Sequence, residues 1–139
     1  MFTIDASVYL NSLNQNEPGS THSQTFLAQV HQQALPIFAP TLLLVELAAA
    51  AARVLQMPGD GLQLAQALQG LPGITWVNLD QTLALQASRV GSQHRLRGAD
   101  AVYAAVAQQY NTILVTLDQQ HLQRLPSIIT VKQPSDIQI

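Results

Sequence analysis

Gly98-Ala99-Asp100-Ala101-Val102-Tyr103-Ala104-Ala105-Val106-Ala107-Gln108-Gln109-Tyr110 leads through Asn111-Thr112 into Ile113-Leu114-Val115-Thr116-Leu117-Asp118. The first part is rich in alanine, the strongest helix former, and carries an acid where a helix begins, as the helix dipole favours. The second part is a short aliphatic run ending on a carboxylate, and it reads as a buried strand. The spacing predicts a helix over 99–110 and a strand over 113–116. A helix feeding straight into a buried strand is the building step of an α/β sheet.

The same alternation extends along the chain. Further strands are expected at 2–4, 36–39, 74–79 and 128–131. Helices are expected at 7–13, 24–34, 41–56, 61–68, 81–94 and 119–124. Asn16-Glu17-Pro18-Gly19, Pro58-Gly59-Asp60 and Pro72-Gly73 read as turns. Strands separated by helical crossovers imply an α/β domain with a mostly parallel sheet. No internal repeat or dividing linker is visible, so residues 1–139 are expected to form one domain.

Four acids lie in apolar surroundings. Asp5 ends Met1-Phe2-Thr3-Ile4, Asp118 ends the strand quoted above, and Asp100 opens the alanine-rich helix. Glu46 interrupts Leu42-Leu43-Leu44-Val45 and Leu47, the sole ionisable residue between Thr41 and Ala52. A helix apolar on every side is usually buried. The chain has 8 Asp and Glu in all, so half of them sit in its most apolar segments. A buried carboxylate is costly unless paired or bound to a metal, and with 6 Lys and Arg in the chain a divalent cation is the favoured compensation. In open α/β sheets functional residues gather at the carboxyl ends of the strands, near the point where strand order reverses. All four acids are expected to converge there.

Each acid also has a plainer reading. Asp5 and Asp118 would serve as helix N-caps, each worth about 1 kcal/mol. Asp100 would complement a helix dipole for roughly 0.3–1 kcal/mol. Glu46 would share a narrow solvent stripe with Arg53. Ser7 and Thr116, two residues from Asp5 and Asp118, are placed to orient a site by hydrogen bonding. Arg95 and Arg97 stand with His94 just before Asp100 and are the candidate phosphate contacts, or else a solvated loop. His22, His31 and His121 have no ligand-like spacing and read as surface residues. Trp76, Tyr9, Tyr103 and Tyr110 read as core or helix-face residues.

Composition narrows the field. Hydrophobic residues make up 47% and charged residues 10%, the latter well below the usual quarter of a globular chain. The composition argues against disorder, and part of the apolar surface is expected to meet a partner. A formal charge of −2 gives no basic footprint, so any nucleic-acid contact is local. The absence of cysteine excludes disulfides, thiol catalysis and cysteine–zinc sites. The N-terminus lacks the pattern of a signal peptide, and the run around 42–52 is too short to span a bilayer. The expectation is a cytoplasmic protein with no membrane contact.

Taken in order, Ile4-Asp5-Ala6-Ser7, Pro40-Thr41 through Glu46-Leu47, Arg97-Gly98-Ala99-Asp100-Ala101 and Leu114-Val115-Thr116-Leu117-Asp118 resemble the PIN domain. Within that family they are similar to the VapC-like toxins of bacterial toxin–antitoxin pairs. The resemblance covers nearly the whole chain. It implies a parallel five-stranded sheet in the order 3-2-1-4-5, flanked by helices, and a Mg2+- or Mn2+-dependent ribonuclease. Asp5, Glu46, Asp100 and Asp118 match the family's acidic positions as metal and catalytic residues. Thr116 matches the hydroxyl position before the last of them. His121 stands where an aromatic residue is frequent. The resemblance further implies a homodimer and a small antitoxin that often places a basic side chain in the acidic pocket.

Two other readings follow from the residues. A receiver-like phosphorylation domain would use Asp5 for Mg2+, Asp80 as phosphoacceptor, Thr116, and Lys132 near Pro134, but it leaves Glu46 and Asp100 unexplained. A PIN-like fold that only holds a partner is favoured by the low basic content and opposed by the complete acidic set.

Overall fold

The computed structural model describes residues 1–54, 56 and 58–139. Five strands form one parallel sheet: β1 (Phe2–Ile4), β2 (Ile37–Pro40), β3 (Ile74–Val77), β4 (Ile113–Val115) and β5 (Val131–Lys132), in the order β3-β2-β1-β4-β5. The helices are α1 (Ala6–Leu13), α2 (Ser20–Gln32), α3 (Leu42–Val54), α4 (Pro58–Gln69), α5 (Gln81–His94), α6 (Gly98–Tyr110) and α7 (Gln119–Arg124), with a short 3-10 helix at Pro134–Asp136. This is the α/β arrangement and strand order that the resemblance implied. The receiver-like alternative fails here, because that doubly wound fold orders its strands 2-1-3-4-5.

β1 lies at the centre. Phe2, Thr3 and Ile4 pair with Ile113, Leu114 and Val115, and Phe2 also pairs with Ile37. The hydroxyls of Thr3 and Thr112, 2.7 Å apart and buried, tie β1 to the entry of β4. Ile4, Val8, Val30, Ile37, Leu43 and Leu114 are among the fully buried side chains of the core around this sheet.

Burial of the two apolar helices differs from the sequence reading. α6 is the helix buried on every side, with Ala101 through Ala107 all inaccessible. Its alanines let it lie close to the sheet. α3 buries only one stripe, Leu43, Leu47, Ala50 and Ala51, and leaves Val45 64% and Val54 62% exposed. Glu46 is half-buried beside that stripe.

Several boundaries also move. Gly19 adopts φ 82°, which glycine alone enters without strain, and so closes the expected turn and opens α2 at Ser20 rather than at 24. Pro58-Gly59-Asp60 forms the first turn of α4 instead of a free turn, as proline at the first helical position allows. Leu55 of the expected helix over 41–56 lies outside the described residues. The last strand forms at Val131–Lys132 because the amides of Ile128 and Ile129 both turn back to the Leu125 carbonyl. The helix, not the loop, begins with Pro58, and Gly61 then meets α3. A β-carbon at Gly61 would lie 2.6 Å from the Ala48 carbonyl oxygen and 3.3 Å from the Ala51 β-carbon. Gly61→Ala is expected to force α4 off α3 and cost about 1–3 kcal/mol, measured by chemical denaturation.

Candidate active site

The strand order reverses between β1 and β4, and both strands deliver polar residues at their carboxyl ends there. Asp5 follows β1; Thr116 and Asp118 follow β4. Asp100 comes from the first turn of α6 and Glu46 from the second turn of α3. Asp5, Glu46, Asp100 and Asp118 line one cavity of about 450 Å³, together with Ser7 and two arginines, Arg53 and Arg97. A larger cleft of about 520 Å³ beside α5 and α6 holds no ionisable side chain, so the chemistry belongs to the smaller one.

Asp5 occupies a helix N-cap position yet makes no side-chain cap bond. Its Oδ2 instead accepts from the Ser7 hydroxyl at 2.8 Å and the Thr116 hydroxyl at 2.7 Å. Ser7 Oγ in turn accepts the Leu117 amide at 3.1 Å. Two adjoining strands thus hold one carboxylate in a fixed orientation. Asp118 does cap α7, its Oδ1 taking the Gln120 and His121 amides at 2.7 and 3.3 Å. That cap leaves Oδ2 facing Arg97 at 3.1 Å, while Arg97 Nε meets Asp100 Oδ2 at 3.2 Å. The Arg97 side chain is 72% exposed, so this bridge is worth little energetically. Its interest is positional, because a cation of the chain itself links two of the four acids.

Charge crowding shows in the protonation of the acids. Burial, chiefly, pushes the Glu46 carboxyl above the usual carboxylate range, and Asp5 and Asp100 push it further. Asp100 is raised mainly by burial and then by Asp118 and Asp5, against the opposing pull of His121 and Arg97. Glu46 Oε1 and the Tyr103 hydroxyl are both buried without a hydrogen bond of acceptable geometry, though close enough to influence each other's protonation.

His121 departs most from the sequence reading. It is fully buried, not a surface residue. Its Nε2 lies 3.1 Å from the Asp100 carbonyl oxygen and its Nδ1 3.2 Å from Thr116 Oγ1. His31 is half-buried and tilted against Tyr9, and His22 is exposed as expected. Trp76 is half-buried with an unpartnered indole N–H, and Tyr103 is fully buried. Of the two candidate phosphate contacts, Arg97 reaches the cavity and Arg95 does not line it. Arg95 ends α5 in the left-handed conformation, and its carbonyl accepts from Arg124. Arg53, read with Glu46 as a solvent stripe, lines the acidic cavity. Asp80 caps α5 by accepting the Leu83 amide at 2.9 Å, an ordinary structural task.

The model of the PIN domain family matches residues 2–127. The chain belongs to the PIN domain family. Solved structures of the same fold include Mycobacterium tuberculosis VapC20, described as a sarcin–ricin loop cleaving toxin, at 15% identity and TM-score 0.72, covering 86% of this chain and 91% of that one. Another is DNA-bound VapBC from Salmonella typhimurium, at 14% identity and TM-score 0.70, covering 96% and 97%. A third is FitAcB from Neisseria gonorrhoeae, at 18% identity and TM-score 0.68, covering 99% and 100%. At these identities the likeness is one of fold. A comparison with curated proteins finds no match. Among the described residues no helix of this PIN domain is long and apolar enough to cross a membrane.

The donor chemistry of the PIN domain's cavity suits a hard divalent ion. It offers carboxylate oxygens and no sulfur, and one of those oxygens, Glu46 Oε1, is buried without a partner. As they stand, no three His, Asp or Glu among the described residues are disposed to hold an ion. Arg97 lies against one oxygen each of Asp100 and Asp118, so an ion on those two oxygens would have to displace it.

Proposed function

We propose that this PIN domain is a Mg2+- or Mn2+-dependent endoribonuclease and the toxin of a toxin–antitoxin pair. The observation that carries the reading is the meeting of Asp5, Glu46, Asp100 and Asp118 in one cavity where the strand order reverses. Asp5 and Asp100 are the principal metal ligands, with Asp118 and Glu46 completing the shell directly or through water. A bound divalent ion lowers the pKa of its water and polarises a phosphoryl oxygen. The chain's own residues do the rest. Thr116 and Ser7 fix Asp5 through its Oδ2, which leaves the other oxygen of that carboxylate for a ligand. Glu46 helps to orient the attacking water. Arg97 and Arg53, on the rim of the same cavity, face the RNA phosphates. Cleavage is in-line hydrolysis of a phosphodiester.

The exposed apolar stretch of α3 and α4 is assigned to partners, a small antitoxin and a second copy of the chain. Val45 and Leu62, 64% and 58% exposed, flank a groove of about 400 Å³ with Leu44 and Ala65. A helix laying its apolar face in such a groove is a common mode of recognition.

Incubation of purified protein with labelled single-stranded and structured RNAs tests the reading. Cutting with Mg2+ or Mn2+ and none with EDTA is the expected result. Metal binding without cleavage of any RNA would leave only a binding module.

A stability prediction follows from Glu46. Its carboxyl is raised in the folded state, so folding favours its protonated form. That contribution is present below the unfolded carboxyl pKa and lost as pH rises through the folded one. In EDTA, Glu46→Gln is therefore expected to melt above wild type at pH 7, with the gap closing toward pH 4, by calorimetry across that range.

A further inference from the structure

His121 belongs to the helix that Asp118 caps, yet its ring sits between Thr116 and the Asp100 turn. The imidazole has no solvent exposure. Nε2 faces the Asp100 carbonyl oxygen at 3.1 Å, and a carbonyl only accepts, so the ring donates there. Nδ1 faces Thr116 Oγ1 at 3.2 Å. Thr116 gives its one hydroxyl proton to Asp5 Oδ2 at 2.7 Å, and its oxygen also accepts the Asp118 amide at 3.0 Å. The lone pair left on that oxygen can only accept, so Nδ1 bonds Thr116 as a donor and both ring nitrogens donate. The ring is thus wedged between the end of β4 and the first turn of α6. Through it Asp5, by way of Thr116, and Asp100, by way of its backbone, keep one spacing. Its nitrogens lie 3.8 Å from Asp5 Oδ2 and 3.9 Å from Asp100 Oδ1, beyond hydrogen bonding to either carboxylate.

We propose that His121 is a positioning residue of the nuclease site, holding the Thr116–Asp5 pair and the Asp100 turn in register. The inference rests on the nuclease reading above. An aromatic ring at this position would fill the same space but hold neither partner. Groups that brace a ligand typically change metal affinity or activity by 10–100-fold when removed. The effect falls on turnover and metal binding, because His121 is buried and does not reach RNA.

Two variants test this. His121→Phe keeps the bulk and removes both contacts; His121→Gln keeps a side chain able to donate one of them. For His121→Phe, a fall in kcat of about 10–100-fold, an unchanged KM for RNA and weaker Mn2+ binding by calorimetry without RNA are expected. His121→Gln should recover part of both kcat and Mn2+ affinity. Because His121 and Thr116 act as one unit, Thr116→Val combined with His121→Phe should be little worse than the worse single variant. A folded Phe variant with wild-type kcat and Mn2+ affinity would overturn the proposal while leaving the nuclease reading intact. If the Phe variant does not fold, His121→Gln decides: wild-type behaviour from a glutamine that cannot reproduce both contacts refutes the role, and a partial loss in kcat and Mn2+ affinity supports it. A wild type that binds Mn2+ but cuts no RNA defeats the nuclease reading, and the calorimetric comparison then still decides whether His121 positions the acids. A wild type that neither cuts nor binds Mn2+ defeats both.

Discussion

Asp100→Asn is expected to abolish RNA cleavage while leaving the fold in place or slightly more stable. A ligand that helps neutralise a phosphoryl group contributes several kcal/mol to the transition state. At 1.4 kcal/mol per tenfold, its loss lowers kcat by about three orders of magnitude. Stability moves the other way because burial and the neighbouring Asp118 and Asp5 already disfavour the Asp100 charge. What is lost structurally is the contact with Arg97, an exposed pair of small worth. Loss of activity with an unchanged or higher melting temperature identifies a site that trades stability for chemistry. Single-turnover cleavage and thermal melting on one preparation check both halves. A variant that cuts like wild type would remove Asp100 from the site.

Leu47→Ala is expected to have the largest effect on the fold itself. Leu47 is fully buried on α3, in the core cluster with Ile4, Val8 and Leu43, and it follows Glu46 directly. Leucine-to-alanine changes at such positions cost about 2–5 kcal/mol, which for a domain of this size lowers the melting temperature by about 10 °C or more. Val45→Ala, on the opposite face of α3 and 64% exposed, should change the stability of the dilute, unpartnered monomer by less than about 0.5 kcal/mol. Differential scanning calorimetry of the two variants checks the contrast. Equal losses in the monomer would mean that both faces of α3 are covered within one chain.

That contrast also shows where sequence reading stops. Asp5, Thr116 and Asp118 were legible as candidates because a carboxylate or hydroxyl at the end of an aliphatic strand is conspicuous, and strand ends share one rim of a parallel sheet. α3 and α6 were not distinguishable by composition, since both are rich in small apolar residues. Only the sheet, which seats α6 against β1, β2 and β4, decides which helix is enclosed. His121 gave no periodic signal at all. Its burial depends on a six-residue helix folding back over α6, a long-range event that one polar letter between glutamines does not announce. Arg53 was visible as a neighbour of Glu46 but not as a wall of the cavity, which takes its other side from α1 and α6. The last strand shifted because turn hydrogen bonds to Leu125 consumed the amides of its most apolar residues.

On the proposed reading, the acids at the switch point take up a divalent ion once Arg97 withdraws. A crystal of the protein grown with Mn2+ tests it directly, through an anomalous difference map recorded near the manganese edge. A peak in the cavity is expected, contacted by Asp5 and Asp100, with Arg97 no longer bridging Asp100 and Asp118. A saturated crystal with no peak there, and Arg97 still holding both carboxylates, would contradict it.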